Sequence, residues 1–159
     1  VPVRGNPHTI SGDPTSCAAI SGWLRSSSAM RNRIDRILVM LALAVARNAP
    51  VVVNIRNASR CFFHAALPGS SANNDNWARR KSNAALIAGH ASLLIGMRHA
   101  AHNRTVEGEG WSPIDFSDSG GAVPLRVAGA GIVAVATVSG LPQVEDHKMV
   151  VEAIRSLMN

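Results

Sequence analysis

Arg79, Arg80 and Lys81 are the only three consecutive cations in the chain. Set near the start of a predicted helix, they suit recognition of a carboxylate or phosphate. The arginine fork matches an oxyanion, and a helix N-terminus is itself positive. At about 100° per residue the three cannot all face one ligand. Arg80 and Lys81 are expected to point into a site or a subunit contact. Cations in the first turns of a helix call for compensation by a bound anion, by Asp75, or by an acid across a subunit contact. Trp77 shares a face with Lys81 and reads as a core or interface plug.

Two further clusters carry candidate chemistry. The stretch "FSDSGGAVPLRV" runs from Phe116 to Val127. Its Gly120-Gly121 pair can bring backbone N–H groups close to an anionic or carbonyl group, since no Cβ obstructs the approach. The same pair can be a turn leading into an edge strand, with Pro124 limiting pairing. Ser117, Asp118 and Ser119 could add polar contacts, and Arg126 lies in the strand-like run that follows. The second cluster is Ser139, Gly140, Asp146 and His147, at the end of one strand and the start of one helix. It reads as a binding edge, with Asp146 and His147 as acid–base groups, or as a cap plus a helix-dipole carboxylate.

Other chemistries are not signalled. There is no GxSxG elbow and no cysteine with a convincing base. There is no P-loop. "GAGIVAVATVSG" contains no true GxGxxG and precedes a strand where a dinucleotide fingerprint would follow one. His99-x-x-His102 could chelate a metal on a helix, but residues 99–115 read as loop without an acidic partner, so no metal site is assigned.

The elements that must position these groups belong to a single-domain chain of 159 residues, with 47% hydrophobic and 16% charged residues. The net charge is +6, carried by fourteen arginines and two lysines. The cations are scattered and aromatics are scarce, so specific nucleic-acid binding is not expected. Cys17 and Cys61 form neither a disulfide framework nor a CxxC site, and two reduced thiols suit a cytoplasmic protein. The run from Met30 to Pro50 imitates a signal peptide, but its apolar core at 37–46 is too short to span a bilayer. The spacing of Ile34, Ile37/Leu38, Leu41 and Val45 predicts an amphipathic helix instead, with no membrane association. A core rich in alanine buries little area per residue and suits homo-oligomers, dimers or larger rings.

Residues 1–20 read as a flexible tail and 21–159 as one domain. A helix over roughly 30–48 is followed by strands at 51–56 and 60–67, joined by the hairpin linker Asn57-Ala58-Ser59. Asn73, Asn74 or Asp75 can cap a long helix that carries Leu86/Ile87, a core His90, Leu93/Leu94 and Met97 on one face. The strand-like "VPLRV" and "IVAVATV" flank a turn at 128–131, and the second is apolar on both faces, as a central strand would be. Pro142 opens the last helix. Its buried stripe is expected at Val144, His147, Val150/Val151, Ile154 and Leu157/Met158. The order α-ββ-α-ββ-α implies a mainly antiparallel sheet with helices packed on it.

With these elements placed, "PVVVNIR…FFHAALPGSSANNDNWARRKSNAA" and "GGAVPLRVAGAGIVAVATVSGLPQVEDHKMVVEAI" resemble an uncharacterised branch of the GlcG/HbpS-like, or haem-degrading-domain, superfamily. The resemblance covers about residues 50–155. It implies a profilin-like α/β/α fold with a five-stranded antiparallel sheet, and homo-oligomers. It implies no settled activity, although several distant relatives bind haem or corrinoids. The chain has Asn54 and Ser119 where this branch usually carries aspartate and histidine. A haem- or metal-ligating role of that histidine cannot pass to a serine hydroxyl. Three readings follow. The first is a binding module for a small anionic molecule, a tetrapyrrole with propionate arms among the candidates, held by the Gly-Gly loop and the basic helix. The second is an enzyme using Asp146 and His147. The third is a structural partner protein.

Overall fold

The computed structural model describes residues 39–156. The predicted tail, His8, Cys17, the start of the first helix and the Leu157/Met158 end of the last lie outside the described residues. The elements are α1 (39–46), β1 (Val52–Arg56), β2 (Cys61–Ala66), α2 (Ala72–Ala88), α3 (Ser92–Ala101), a 3-10 turn (Glu107–Glu109), β3 (Ala122–Val127), β4 (Gly131–Ser139) and α4 (Gln143–Arg155).

The strands form one antiparallel sheet in the order β2-β1-β4-β3. The sheet has four strands among the described residues, not the five the resemblance implies. Two hairpins account for all four. The polar, Gly- and Pro-broken segment between them forms the end of α3, the 3-10 turn and loops. As its two-faced apolar pattern requires, β4 lies inside the sheet. Pro124, which has no N–H to donate, sits on the edge strand β3 opposite Val135.

Alternating side chains of β1 and β4 divide the core. Val51, Val53, Ile55, Ala134, Ala136 and Val138 pack with Met40 and Ala44 of α1 and with Met149, Val150 and Ala153 of α4. Each fully buried valine contributes about 1.5–3 kcal/mol. The opposite face carries Val135 and Ala122 against Ala85 of α2. Small residues on α2 let it lie close to the sheet, and the Ser82 and Thr137 hydroxyls meet at 2.8 Å.

Several local expectations shift. The long central helix is two helices. Gly89 ends α2 in the left-handed region at φ 69°, and His90 is exposed in the break, not buried in a core. The apolar stripe expected there is not the buried face: Ile87 and Met97 are 58% and 62% exposed. Ala78, Lys81, Ser82, Ala84 and Ala85 are buried in its place. In α1 the buried residues are Met40 and Ala44, while Val45 faces outward. In α4 they are Asp146, Met149, Val150 and Ala153, while Val144 is exposed. The N-cap of α2 is Ser71, earlier than expected, and its backbone N–H donates to Asn74 Oδ1 at 2.8 Å. The three cations therefore sit beyond the first two turns, where the helix dipole opposes them little. Among the described residues no helix is long and apolar enough to cross a membrane.

Candidate functional site

Three segments meet where β4 ends and α4 begins. Asn73, Asn74, Trp77 and Lys81 come from α2, and Ser119 comes from the loop before β3. Ser139 ends β4, Gly140 and Leu141 follow it, and Gln143 and Asp146 open α4. They line a cleft of about 250 Å³. Lys81 lies three residues after Ala78 and four before Ala85, so the face of α2 that touches the sheet carries it inward.

At the floor of the cleft Lys81 Nζ donates to Asp146 Oδ2 at 2.8 Å, with side chains 5% and 0% exposed. The carboxylate is well supplied: Leu141 N–H donates to Oδ1 at 3.0 Å and Gly140 N–H to Oδ2 at 3.4 Å. Burial nonetheless holds the Asp146 carboxyl above its usual range, against the opposing pull of Lys81 and those two N–H groups. The ammonium is not so well supplied. It carries three N–H donors, and Asp146 is its single acceptor among the described residues.

The paired glycines stand beside this ion pair. Gly121 has φ 129°, and a Cβ there would collide with the Val138 carbonyl oxygen and lie 3.1 Å from Lys81 Nζ and 3.0 Å from Asp146 Cβ. A Cβ on Gly120 would collide with the Gln143 carbonyl oxygen. The Gly120 N–H is engaged by Gln143 Oε1 at 3.0 Å. The pair thus lets the entry to β3 press against both β4 and α4.

The other predicted site residues disperse. Arg79 binds Asp115 Oδ1 at 2.8 Å and the Ile114 carbonyl at 2.7 Å, fastening the loop before β3 to α2. Arg80 stacks on Trp77, 4.3 Å from the ring centroid. Arg126 donates to the Gly89 carbonyl at 2.6 Å. Asp75 does not compensate the basic run: its Oδ1 lies 3.0 Å from His64 Nε2. His147, one residue from Asp146, turns to a separate groove with Lys148, Val151, Glu152 and Arg155.

Burial pulls the His147 imidazole below its ordinary value of 6.5, which makes a test available. The unfolded chain then takes up this proton at a higher pH than the folded one. Stability contributed by His147 is therefore full above pH 6.5 and is lost as pH falls through the lower folded-state value. Urea melts of the His147→Gln variant should show a shallower loss across that window than the parent chain.

Sequence reasoning missed two features. One is the Lys81–Asp146 pairing; the polar Thr137 and Ser139 inside an otherwise apolar strand were its available signal. The other is His99, expected in a loop without an acidic partner. It is buried within α3, with Nδ1 2.8 Å from Asp118 Oδ2 and Nε2 3.9 Å from Glu109 Oε1. This contact anchors the loop that delivers Ser119.

The family described as "Haem degrading protein HbpS-like" matches residues 35–155. The chain is 46% identical over 117 residues to UPF0303 protein SCO2848 of Streptomyces coelicolor, covering 73% of this chain and 74% of that one. It is 46% identical over 121 residues to a UPF0303 protein of Streptomyces avermitilis, covering 76% and 74%. Among solved structures it superposes on the Ybr137w protein with a TM-score of 0.74 at 27% identity, over 81% of this chain and 77% of that one. The PduOC:Heme complex gives 0.67 at 19% identity over 79% and 91%. A double mutant of Streptomyces reticuli HbpS gives 0.65 at 14% identity over 99% and 97%. At such identities the last two likenesses concern the fold alone.

Proposed function

The chain belongs to the HbpS-like family, and from that premise we propose that it is a binding domain whose cleft over Lys81 and Asp146 takes a small molecule through an acidic or carbonyl oxygen. The observation that carries this reading is the Lys81 ammonium, 5% exposed, with one acceptor for three donors. The donors that Asp146 does not engage belong to a residue lining the cleft, where an oxygen of a guest can accept from them in place of solvent. The N-terminus of α4, which contributes Gln143 to the lining, adds partial positive charge on the same side. Asp146 already neutralises Lys81, so the arrangement suits one negative charge on the guest, not several.

One structural neighbour is described as a haem complex, yet this cleft does not fit haem. Haem iron is held by His, Cys, Met or Tyr, and none of these lines it. Its volume of about 250 Å³ falls below the ~300–1,000 Å³ typical of pockets for drug-sized ligands. The geometry also favours binding over an Asp146–His147 acid–base pair, because those side chains open onto different surfaces.

The test is an amide chemical-shift titration with a panel of small mono- and dicarboxylic acids. Perturbations should concentrate at residues 119–121 and 139–143. Shifts confined to the His147 groove, or none across the panel, would remove the cleft from consideration.

A further inference from the structure

Resting on the reading of the cleft as a binding site, we propose that Lys81 forms an imine with a carbonyl guest, and that this guest is a small 2-oxo acid. Once a proton has passed to the Asp146 carboxylate, 2.8 Å away, the nitrogen of Lys81 is the strongest nucleophile among the side chains that line the cleft. A lysine amine out of bulk water beside a base is the arrangement that carbonyl chemistry uses. Lys81 is itself part of the cleft lining, and an approach of about 3–3.5 Å between the reacting atoms suffices for attack.

The step balances without a further reactant. A proton passes from Lys81 Nζ to Asp146, and the neutral amine attacks the carbonyl carbon. The carbonyl π pair moves to oxygen, which takes up a proton from the attacking nitrogen to give a neutral carbinolamine. The hydroxyl then leaves as one water with the proton that Asp146 returns, and the positive charge remains on nitrogen as a protonated imine. Burial, which holds the Asp146 carboxyl above its usual range, favours its service as the transient proton store. The carboxylate of a 2-oxo acid would meet neutral donors, the Ser119 hydroxyl and the Gln143 amide nitrogen. The Gln143 oxygen is already occupied by Gly120 N–H.

The chain supplies its own control, because its only other lysine is Lys148. Lys148 pairs with Glu145 and its side chain is 65% exposed. The experiment incubates the full chain with pyruvate, and in parallel with longer 2-oxo acids, in the presence of cyanoborohydride. Intact mass and peptide mapping follow. Reduced adduct should accumulate at Lys81 on the order of tenfold faster than at Lys148, as expected of a positioned group. Asp146→Asn, which keeps the shape and removes the proton acceptor, should slow the labelling at Lys81 relative to that at Lys148. Label confined to Lys148 or the N-terminal amine overturns the imine. Amide shifts in the cleft without any adduct at Lys81 also overturn it, but leave the binding reading standing. Neither shifts nor adduct with any 2-oxo acid sinks the guest class, and the carboxylate panel then decides the binding reading separately.

Discussion

Gly121→Ala is expected to destabilise the domain by about 3 kcal/mol or more, since strained backbone and overpacking each cost roughly 1–3 kcal/mol. At φ 129° an alanine is strained whatever surrounds it. Here its methyl would also strike the Val138 carbonyl and crowd Lys81 Nζ and Asp146. The Val138 carbonyl is β-sheet backbone and Asp146 Cβ lies next to the helix backbone, while Lys81 Nζ, the end of a longer side chain, is tied to Asp146 at 2.8 Å. Gly129 provides the comparison. It too has positive φ, at 76°, but nothing lies within 4 Å of where its Cβ would be. Gly129→Ala should show backbone strain alone, about 1–2 kcal/mol. Urea denaturation of both variants measures the difference. If the two are equally mild, close packing at Gly121 is not what its glycine serves.

Lys81→Met should cost about 3–5 kcal/mol at neutral pH, because it leaves a buried carboxylate without its counter-charge. For a domain of this size that corresponds to a fall in Tm of roughly 10–20 °C. The loss should depend on pH with a definite sign. Burial already raises the Asp146 carboxyl above its ordinary value of 3.8, and Lys81 acts in the opposite direction. Without Lys81 the folded-state value rises further. The stability associated with this proton is then full below 3.8 and is lost as pH rises through the folded-state value. The variant should therefore recover toward the parent chain on acidification. Adding Asp146→Leu should recover most of the loss at neutral pH, since apolar replacement of a buried ion pair is often neutral or stabilising. A double variant no more stable than Lys81→Met would show that the pair is not what the fold depends on here.

Local patterns in the sequence found the hairpins and the inner strand. The linker at Asn57-Ala58-Ser59, the turn before Gly131 and the two-faced apolar run of β4 are short-range signals. Helix faces were harder. Leu86/Ile87, Leu93/Leu94 and Met97 make a convincing stripe that ignores Gly89, yet the buried face of α2 is built from alanines, a serine and a lysine. Small residues bury by fitting close to a sheet, and their hydrophobicity does not announce it. The sequence singles out Lys81 in the basic run, Ser119 beside the glycine pair and the Ser139–Asp146 edge as separate candidates, and all of these line the cleft. Their union is not legible there, because Lys81 and Asp146 are 65 positions apart. Only the antiparallel insertion of β4 beside β1 brings them together.

That insertion has a consequence for synthesis. While a ribosome is extending this chain, β1, β2 and α2 emerge well before β4, so β1 has a bonded neighbour on one side only and Lys81 lacks its acid. Pairing across such a separation is slow, since a long loop must close before any contact rewards it. Until Asp146 arrives, the nascent polypeptide has no cleft and exposes an unpaired strand margin to other molecules.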